Sequence, residues 1–317
     1  MVDLKGGILS GIREMLLNDS TLDFQIRDNQ VHIYYRGGKI WDIKKIAQDK
    51  YVLSFDTEYC KDWSSWTVKF QDAETIDLAN RQLNLKSHDV TEDDINKWIF
   101  AIPFLKQIMD EYFSKKPKTE REYQQHVVLE NNNLQSSGGT DYFIVDIEYA
   151  NKEGRFDLVS IIWTSTATAR KLHKGYKPGL AFIEMKFGDS ALSGDASIIN
   201  HVNDIDTFLE NAENLKNICD EVQTILKQKR ELGLIKSLTG NHNEIDELSS
   251  EKPQLILLLS AHNPKSERLL NQLDELKEPT NCDLKFAVAN FMGYGLYQEA
   301  LYNLEDFKSL VFKQISS

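Results

Sequence analysis

The chain has 317 residues, with 37 basic and 49 acidic side chains, so its formal net charge at pH 7 is −12. That length suits two domains, or one domain with a large appendage. The apolar share of 41%, the charged share of 27% and only six prolines are typical of a globular protein, and they exclude a collagen-like or wholly disordered chain.

The sequence predicts a cytoplasmic protein with no membrane partner. No uninterrupted apolar run exceeds five residues, whereas a membrane-spanning helix needs about 20. The first residues also lack the basic start and apolar stretch of a secretory signal. The three cysteines, Cys60, Cys219 and Cys282, are widely separated, which argues against a disulfide framework and a cysteine-based zinc site. Because the net charge is negative, binding to nucleic acid would require a local basic patch.

The first third of the chain is predicted to be rich in β-structure. Apolar residues in alternation flank a Gly-Gly turn within residues 31–43, a pattern that predicts a β-hairpin. Tyr51–Phe55 and Trp66–Phe70 are predicted to be further strands. From Thr91 onwards the apolar residues recur every three or four positions, which indicates a helix that Pro103 should kink or restart.

The lysine-rich run at residues 115–118 interrupts this helical pattern, and we predict the domain boundary there. Residues 1–115 then form an N-terminal β-rich region that ends in a helix, and residues 116–317 form the second domain. A capping-box pattern at Thr119 predicts a new helix that continues to about Glu130.

The second domain is predicted to have an α/β fold in the order helix, three strands, helix, strand, helix, strand. The helix at residues 205–232 carries apolar residues in a strict three-four alternation over three heptads. It either packs along the whole domain or forms the seam of a homodimer. The predicted strands are Tyr142–Tyr149, Phe156–Trp163, Leu180–Phe187, Gln254–Ser260 and Lys285–Asn290, and the predicted later helices are Pro264–Leu276 and Tyr297–Phe307.

Three charged residues of this strand series suggest chemistry. Side chains alternate across a strand, so Glu184 and Lys186 project from one face, and Asp157 begins the preceding apolar strand. If these two strands pair, the carboxylates of Asp157 and Glu184 lie side by side. Two carboxylates at a sheet end suit Mg²⁺ or Mn²⁺, and a neighbouring lysine can orient the attacking water. The alternative is an ordinary ion pair on a solvated sheet face.

This arrangement resembles the PD-(D/E)XK nuclease superfamily, whose restriction-endonuclease-like core runs helix, three strands, helix, strand. The resemblance covers roughly residues 119–262, less than half of the chain. It implies that Asp157 matches the metal-binding aspartate of the second core strand, and that Glu184 and Lys186 match the glutamate and lysine of the third. It also implies Mg²⁺ or Mn²⁺ as the cofactor and phosphodiester hydrolysis in nucleic acid, with DNA as the expected substrate.

The resemblance further implies an acidic residue on the first core helix. Glu122 is the match that we choose as a third metal ligand, and Glu120 and Glu130 compete with it. The proline that gives the motif its name is absent before Asp157, where Arg155-Phe156 stands instead. Many members of the superfamily also lack this proline, so the departure weakens the match only slightly.

The connection between the second and third core strands is basic, although the chain as a whole is acidic. We expect it to contact phosphates and to position a nucleic-acid backbone without reading bases. A merely solvated loop is the open alternative. The basic loop, as we call this set, consists of Arg170, Lys171, Lys174 and Lys177.

Two hypotheses about function remain open at this stage. Retention of all three motif residues favours an enzyme, whereas the acidity of the chain favours a catalytically inactive binding or assembly protein with the same fold. His201, near the start of the long helix, either contacts the substrate or is simply a hydrogen-bonded helix-start histidine. His262, which follows a buried strand, has the same two alternatives.

Overall fold

The chain folds into two compact units, Met1–Gln125 and His126–Ser317. The division lies within helix α3 (Thr119–Asn132), whereas the predicted boundary at residues 115–116 lies at the end of the preceding helix. No helix in the described part of the chain is both long and apolar enough to cross a membrane. The structure is a computed structural model, and it describes residues 4–27, 30–60, 67–69, 82–132, 140–150, 154–164, 177–192, 194, 197–235, 245, 247–263, 265–289, 296, 298 and 301–316.

The first unit combines antiparallel strands with helices, as predicted. Its elements are α1 (Ser10–Asn18), β1 (Asp23–Arg27), β2 (Gln30–Tyr35), β3 (Gly38–Ala47), β4 (Lys50–Ser54), β5 (Thr67–Lys69), β6 (Gln82–Asn84), β7 (Lys86–His88), α2 (Glu92–Lys115) and the first part of α3. Five strands form one sheet in the order β1-β2-β3-β4-β7, and β5 pairs with β6.

The predicted β-hairpin is confirmed and closes tightly. Tyr35 pairs with Gly38, so only Arg36 and Gly37 form the turn, and both have positive φ angles of 49° and 72°. A two-residue turn in which both residues have positive φ angles matches the right-handed twist of the paired antiparallel strands. A Cβ atom on Gly37 would overlap the backbone of Arg121 in α3. Glycine is therefore required at this position by both conformation and space.

Helix α2 is continuous, so the expectation that Pro103 restarts it is wrong. The helix begins with a capping box in which Thr91 and Asp94 bond to each other's backbone N–H groups. Pro103 is exposed, so water can solvate the carbonyl that loses its partner. Trp98 and Leu105 are fully buried on either side of it and hold both halves of the helix in place.

The elements of the second unit are β8 (Tyr142–Ala150), β9 (Arg155–Ile162), β10 (Gly179–Phe187), α4 (Ile198–Glu210), α5 (Ala212–Glu231), β11 (Gln254–Ser260), α6 (Glu267–Glu275), β12 (Asp283–Ala289) and α7 (Leu304–Ser316). The five strands form a mixed sheet in the order β12-β11-β10-β9-β8. Strands β8, β9 and β10 pair antiparallel, whereas β10, β11 and β12 pair parallel. The α/β class is confirmed, and the elements follow the predicted order except that two helices follow the third strand where one was predicted.

The single long helix predicted at residues 205–232 is wrong, because the structure has two helices there. Asn211 adopts an extended conformation, with φ −89° and ψ 105°, and its side chain accepts a hydrogen bond from the backbone N–H of Glu213. It therefore ends α4 and caps α5. The last helix also differs from the prediction, since α7 covers Leu304–Ser316 where Tyr297–Phe307 was expected.

One face of the second sheet is covered by α4, α5, α6 and α7. Phe182 of β10 and Leu257 of β11 lie in a buried core to which all four helices contribute. The apolar faces of α4 and α5 are thus packed inside the unit, and the homodimer seam stays a prediction. Because alternate strand residues share a face, Glu184 and Lys186 point to the same side as Phe182.

Candidate active site

Asp157 lies where β9 separates from β10. The last paired residues of these strands are Leu158 and Ile183, so Asp157 would have been next in register opposite Glu184. Instead of continuing the backbone ladder, the Oδ2 atom of Asp157 accepts a hydrogen bond from the backbone N–H of Met185 at 2.9 Å. The half-buried carboxylate of Asp157 therefore lies beside β10 at the position that carries Glu184.

Glu184 and Lys186 form a buried ion pair. The Nζ atom of Lys186 donates to the Oε1 atom of Glu184 at 2.9 Å, and each residue is only 3% exposed. The interpretation of these residues as a surface pair on a solvated sheet face is therefore wrong. Both residues lie on the face of the sheet that α4–α7 cover. Alternation along the strand places them on one face but does not show whether helices cover that face.

His201 completes this group. It lies in the first turn of α4, whose N-terminus is capped by the side chain of Ser197. The Nδ1 atom of His201 lies 2.6 Å from the same Oε1 atom of Glu184, and its side chain is 31% exposed. The structure thus brings His201 to the predicted site, where it contacts the glutamate. The sequence placed His201 only near the start of a helix, and that position does not specify the contact with Glu184.

Lys186 and His201 keep Glu184 ionised inside the protein. Burial by itself would raise the pKa of Glu184. The hydrogen bond from His201 and the positive charge of Lys186 outweigh that effect, and the pKa of Glu184 lies below its usual value. A buried carboxylate that remains charged is a ligand suited to a cation and a poor general acid.

The donor set suits a hard cation of the Mg²⁺ class. Asp157 and Glu184 supply carboxylate oxygens, and Mg²⁺ typically takes one or two carboxylates and keeps several waters. Both hydrogen bonds to Glu184 reach Oε1, and within the described part of the chain none is formed with Oε2. Among these same described residues, no three His, Cys, Asp or Glu side chains come together as a metal-binding group. Water would therefore have to fill the remaining positions around a metal.

Glu122, the third ligand implied by the resemblance, has a partner within the first unit. Its Oε1 atom accepts a hydrogen bond from Nε of Arg36 at 2.7 Å, and Arg36 also donates to Asp110 at 2.8 Å. These bonds hold the hairpin turn between α2 and α3. The metal role of Glu122 stays a prediction that would require this pair to open, and the competitors Glu120 and Glu130 are partly exposed on α3.

Most of the basic loop lies outside the described residues, which exclude Arg170, Lys171 and Lys174. Lys177 is described, and it is exposed and forms an ion pair with Glu247. That pair lowers the pKa of Glu247 through the hydrogen bond from Lys177. The positive charge of Lys177 is thus locally compensated.

His262 follows β11 at the sheet end to which β10 also leads. It is half-buried, and burial lowers its pKa, although the nearby charge of Asp189 acts in the opposite direction. The Oδ1 atom of Asp189 also accepts a hydrogen bond from the backbone N–H of Asn263. The charge that acts on His262 is thus that of Asp189, whereas His201 contacts Glu184 directly.

Comparison with known proteins finds no relative of this chain. No protein-family model, curated protein sequence or solved structure matches the chain. The likeness to PD-(D/E)XK nucleases therefore rests on Asp157, Glu184 and Lys186 and on the element order around them.

Proposed function

We propose that this protein is a divalent-metal-dependent nuclease that hydrolyses phosphodiester bonds, with DNA as the expected substrate. The observation that carries the proposal is the buried Glu184–Lys186 pair beside Asp157, at the point where two core strands separate. Buried charges are rare unless they are paired or serve a purpose, and ionisable groups with shifted pKa values cluster at functional sites. The element order around them, helix, three strands, helices and strand, supports the same proposal.

Each residue has a distinct role in the proposed reaction. Asp157 and Glu184 would hold Mg²⁺ or Mn²⁺, whose charge stabilises the phosphoryl oxygens in the transition state. Lys186 would orient the attacking water and hold positive charge beside it. Glu122 belongs to the proposal only through the resemblance, because Arg36 already holds its carboxylate.

A cleavage assay tests this proposal. Labelled single-stranded and double-stranded DNA and RNA would be incubated with the purified protein in Mg²⁺, in Mn²⁺ and in EDTA. We expect metal-dependent cleavage that falls by about 10²-fold or more in Glu184→Gln and in Lys186→Met. Lys252→Met is the matched control, because Lys252 is 42% exposed in a surface pair with Asp283 in the same unit.

Thermal unfolding separates the roles of the two residues. A cation that binds only the folded protein raises the melting temperature by mass action. Glu184→Gln should lose this shift, since the amide keeps the shape but loses the charge. Lys186→Met should keep a measurable shift, since both carboxylates remain, although one of the two donors to Glu184 is lost. Wild-type protein that neither cuts any of the four substrates nor gains stability from either metal would overturn the proposal.

A binding or assembly protein is the second candidate function. The observation that favours it is the pairing within the site, where Lys186 already compensates the charge of Glu184 and His201 hydrogen-bonds to the same oxygen. The net charge of −12 favours it as well, because it repels phosphate backbones. Wild-type protein that cleaves none of the four substrates under either metal would select this candidate.

A further inference from the structure

The hydrogen bond between His201 and Glu184 joins a helix to the centre of the candidate site. The 2.6 Å separation between Nδ1 and Oε1 is short, as expected for a charge-assisted bond. A carboxylate oxygen only accepts, so the N–H group at Nδ1 is the donor of this bond. The ring is also 31% exposed and therefore does not fill the core. Apolar packing alone does not account for its position.

We infer that His201 is a positioning residue that fixes the Glu184 carboxylate for metal binding. This inference rests on the proposed function and adds to it a residue that the nuclease motif does not contain. Lys186 and His201 both donate to Oε1, one from the strand and one from the helix. Two donors from different elements define the plane of the carboxylate and leave Oε2 for a cation.

Helix α4 is a rigid support for this role. Ser197 caps its first turn, and the backbone N–H of His201 bonds to the carbonyl of Ser197 at 3.2 Å. Ile198 and Val202, on either side of His201 in sequence, are buried in the core of the second unit. The backbone that carries His201 is thus held by packed neighbours on both sides.

The size of the effect follows from metal sites in general. Groups that hydrogen-bond to a metal ligand orient it, and removing one typically weakens metal affinity or activity by about 10–100-fold. Asparagine can place its side-chain amide near the position of Nδ1 in histidine, whereas alanine leaves no donor. We therefore expect His201→Ala to lose metal affinity and His201→Asn to retain most of it.

The first arm of the test uses metal-free protein. Ring ¹⁵N chemical shifts from two-bond ¹H–¹⁵N NMR spectra should show a proton on Nδ1 of His201, protected from exchange with solvent. That protection should disappear in Glu184→Gln, which has a weaker acceptor. An unprotected Nδ1, or protection that is unchanged in Glu184→Gln, would overturn the inference whatever the protein does with metals.

The second arm measures the Kd for Mn²⁺ by isothermal titration calorimetry. The expected result is a Kd about tenfold higher or more in His201→Ala, and within about threefold of wild type in His201→Asn. Asn203→Ala is the control, because Asn203 is exposed on the same helix. Equal Mn²⁺ affinity in wild type and His201→Ala would overturn the role of His201 but would leave the proposed metal site intact. Wild-type protein that binds no Mn²⁺ would overturn the proposed metal site together with the role of His201 towards it.

Discussion

Replacing Lys186 with methionine should cost much more stability than the loss of a surface charge. The Lys186 and Glu184 side chains are each 4% exposed, and their charged atoms are 2.9 Å apart. Removing one partner of a buried pair costs about 3–5 kcal/mol, because the remaining charge stays buried without compensation. His201 still donates to Glu184 in this variant. We therefore expect the free energy of unfolding to fall by about 3 kcal/mol, the lower end of that range.

Hydrogen exchange of the β10 and β11 amides, measured by mass spectrometry, gives this free energy for the second unit itself. A chain of two units need not unfold in one transition, so a global melting curve is less direct. The double variant Glu184→Gln/Lys186→Met should recover most of the loss, because it removes both charges together. Lys252→Met, the exposed control, should cost about 0–1 kcal/mol. A cost below about 1 kcal/mol for Lys186→Met would refute the buried ion pair.

Three further predictions concern other parts of the chain. Gly37→Ala should unfold or strongly destabilise the first unit in a thermal melt, because its Cβ would overlap the backbone of α3, whereas Gly6→Ala has open space and should change little. Burial acts to raise the pKa of Asp19, but the hydrogen bond from Lys106 is among the effects that lower it overall. The ionised Asp19 therefore stabilises the folded protein above its unfolded pKa of about 4, and this contribution is lost as the pH falls through the lower folded pKa. Asp19→Asn should therefore flatten the acid side of a plot of melting temperature against pH. Neutralising the lysines of the basic loop should weaken DNA binding about equally for all sequences and reduce its salt dependence, and an unchanged salt slope would indicate a merely solvated loop.

The sequence predicts the strands of the second unit well because each has a continuous apolar pattern. Gln254–Ser260 is found with its predicted bounds, and the tight turn after β2 follows from Gly37. The site strand is likewise found from alternation, which places Glu184 and Lys186 on one face. The burial of that face could not be predicted, because it depends on helices that return to it from later in the chain.

The differences between the predicted and the observed elements have local physical causes that the spacing of apolar residues does not encode. The three-four spacing of apolar residues continues across Asn211, so it does not indicate the break between α4 and α5. Only the role of Asn211 as a helix cap indicates that break. Pro103 is tolerated because it is exposed. The pairs that join Glu122 to Arg36 and His201 to Glu184 link residues distant in sequence, and no local pattern specifies them.

Anomalous diffraction from crystals grown with Mn²⁺ tests the central claim most directly. The proposal places a divalent cation between Asp157 and Glu184, with water in its remaining positions. The predicted result is an anomalous peak within bonding distance of a carboxylate oxygen from each residue, and its loss in Glu184→Gln crystals. A saturating Mn²⁺ concentration that gives no peak between these two carboxylates would contradict the proposed metal site.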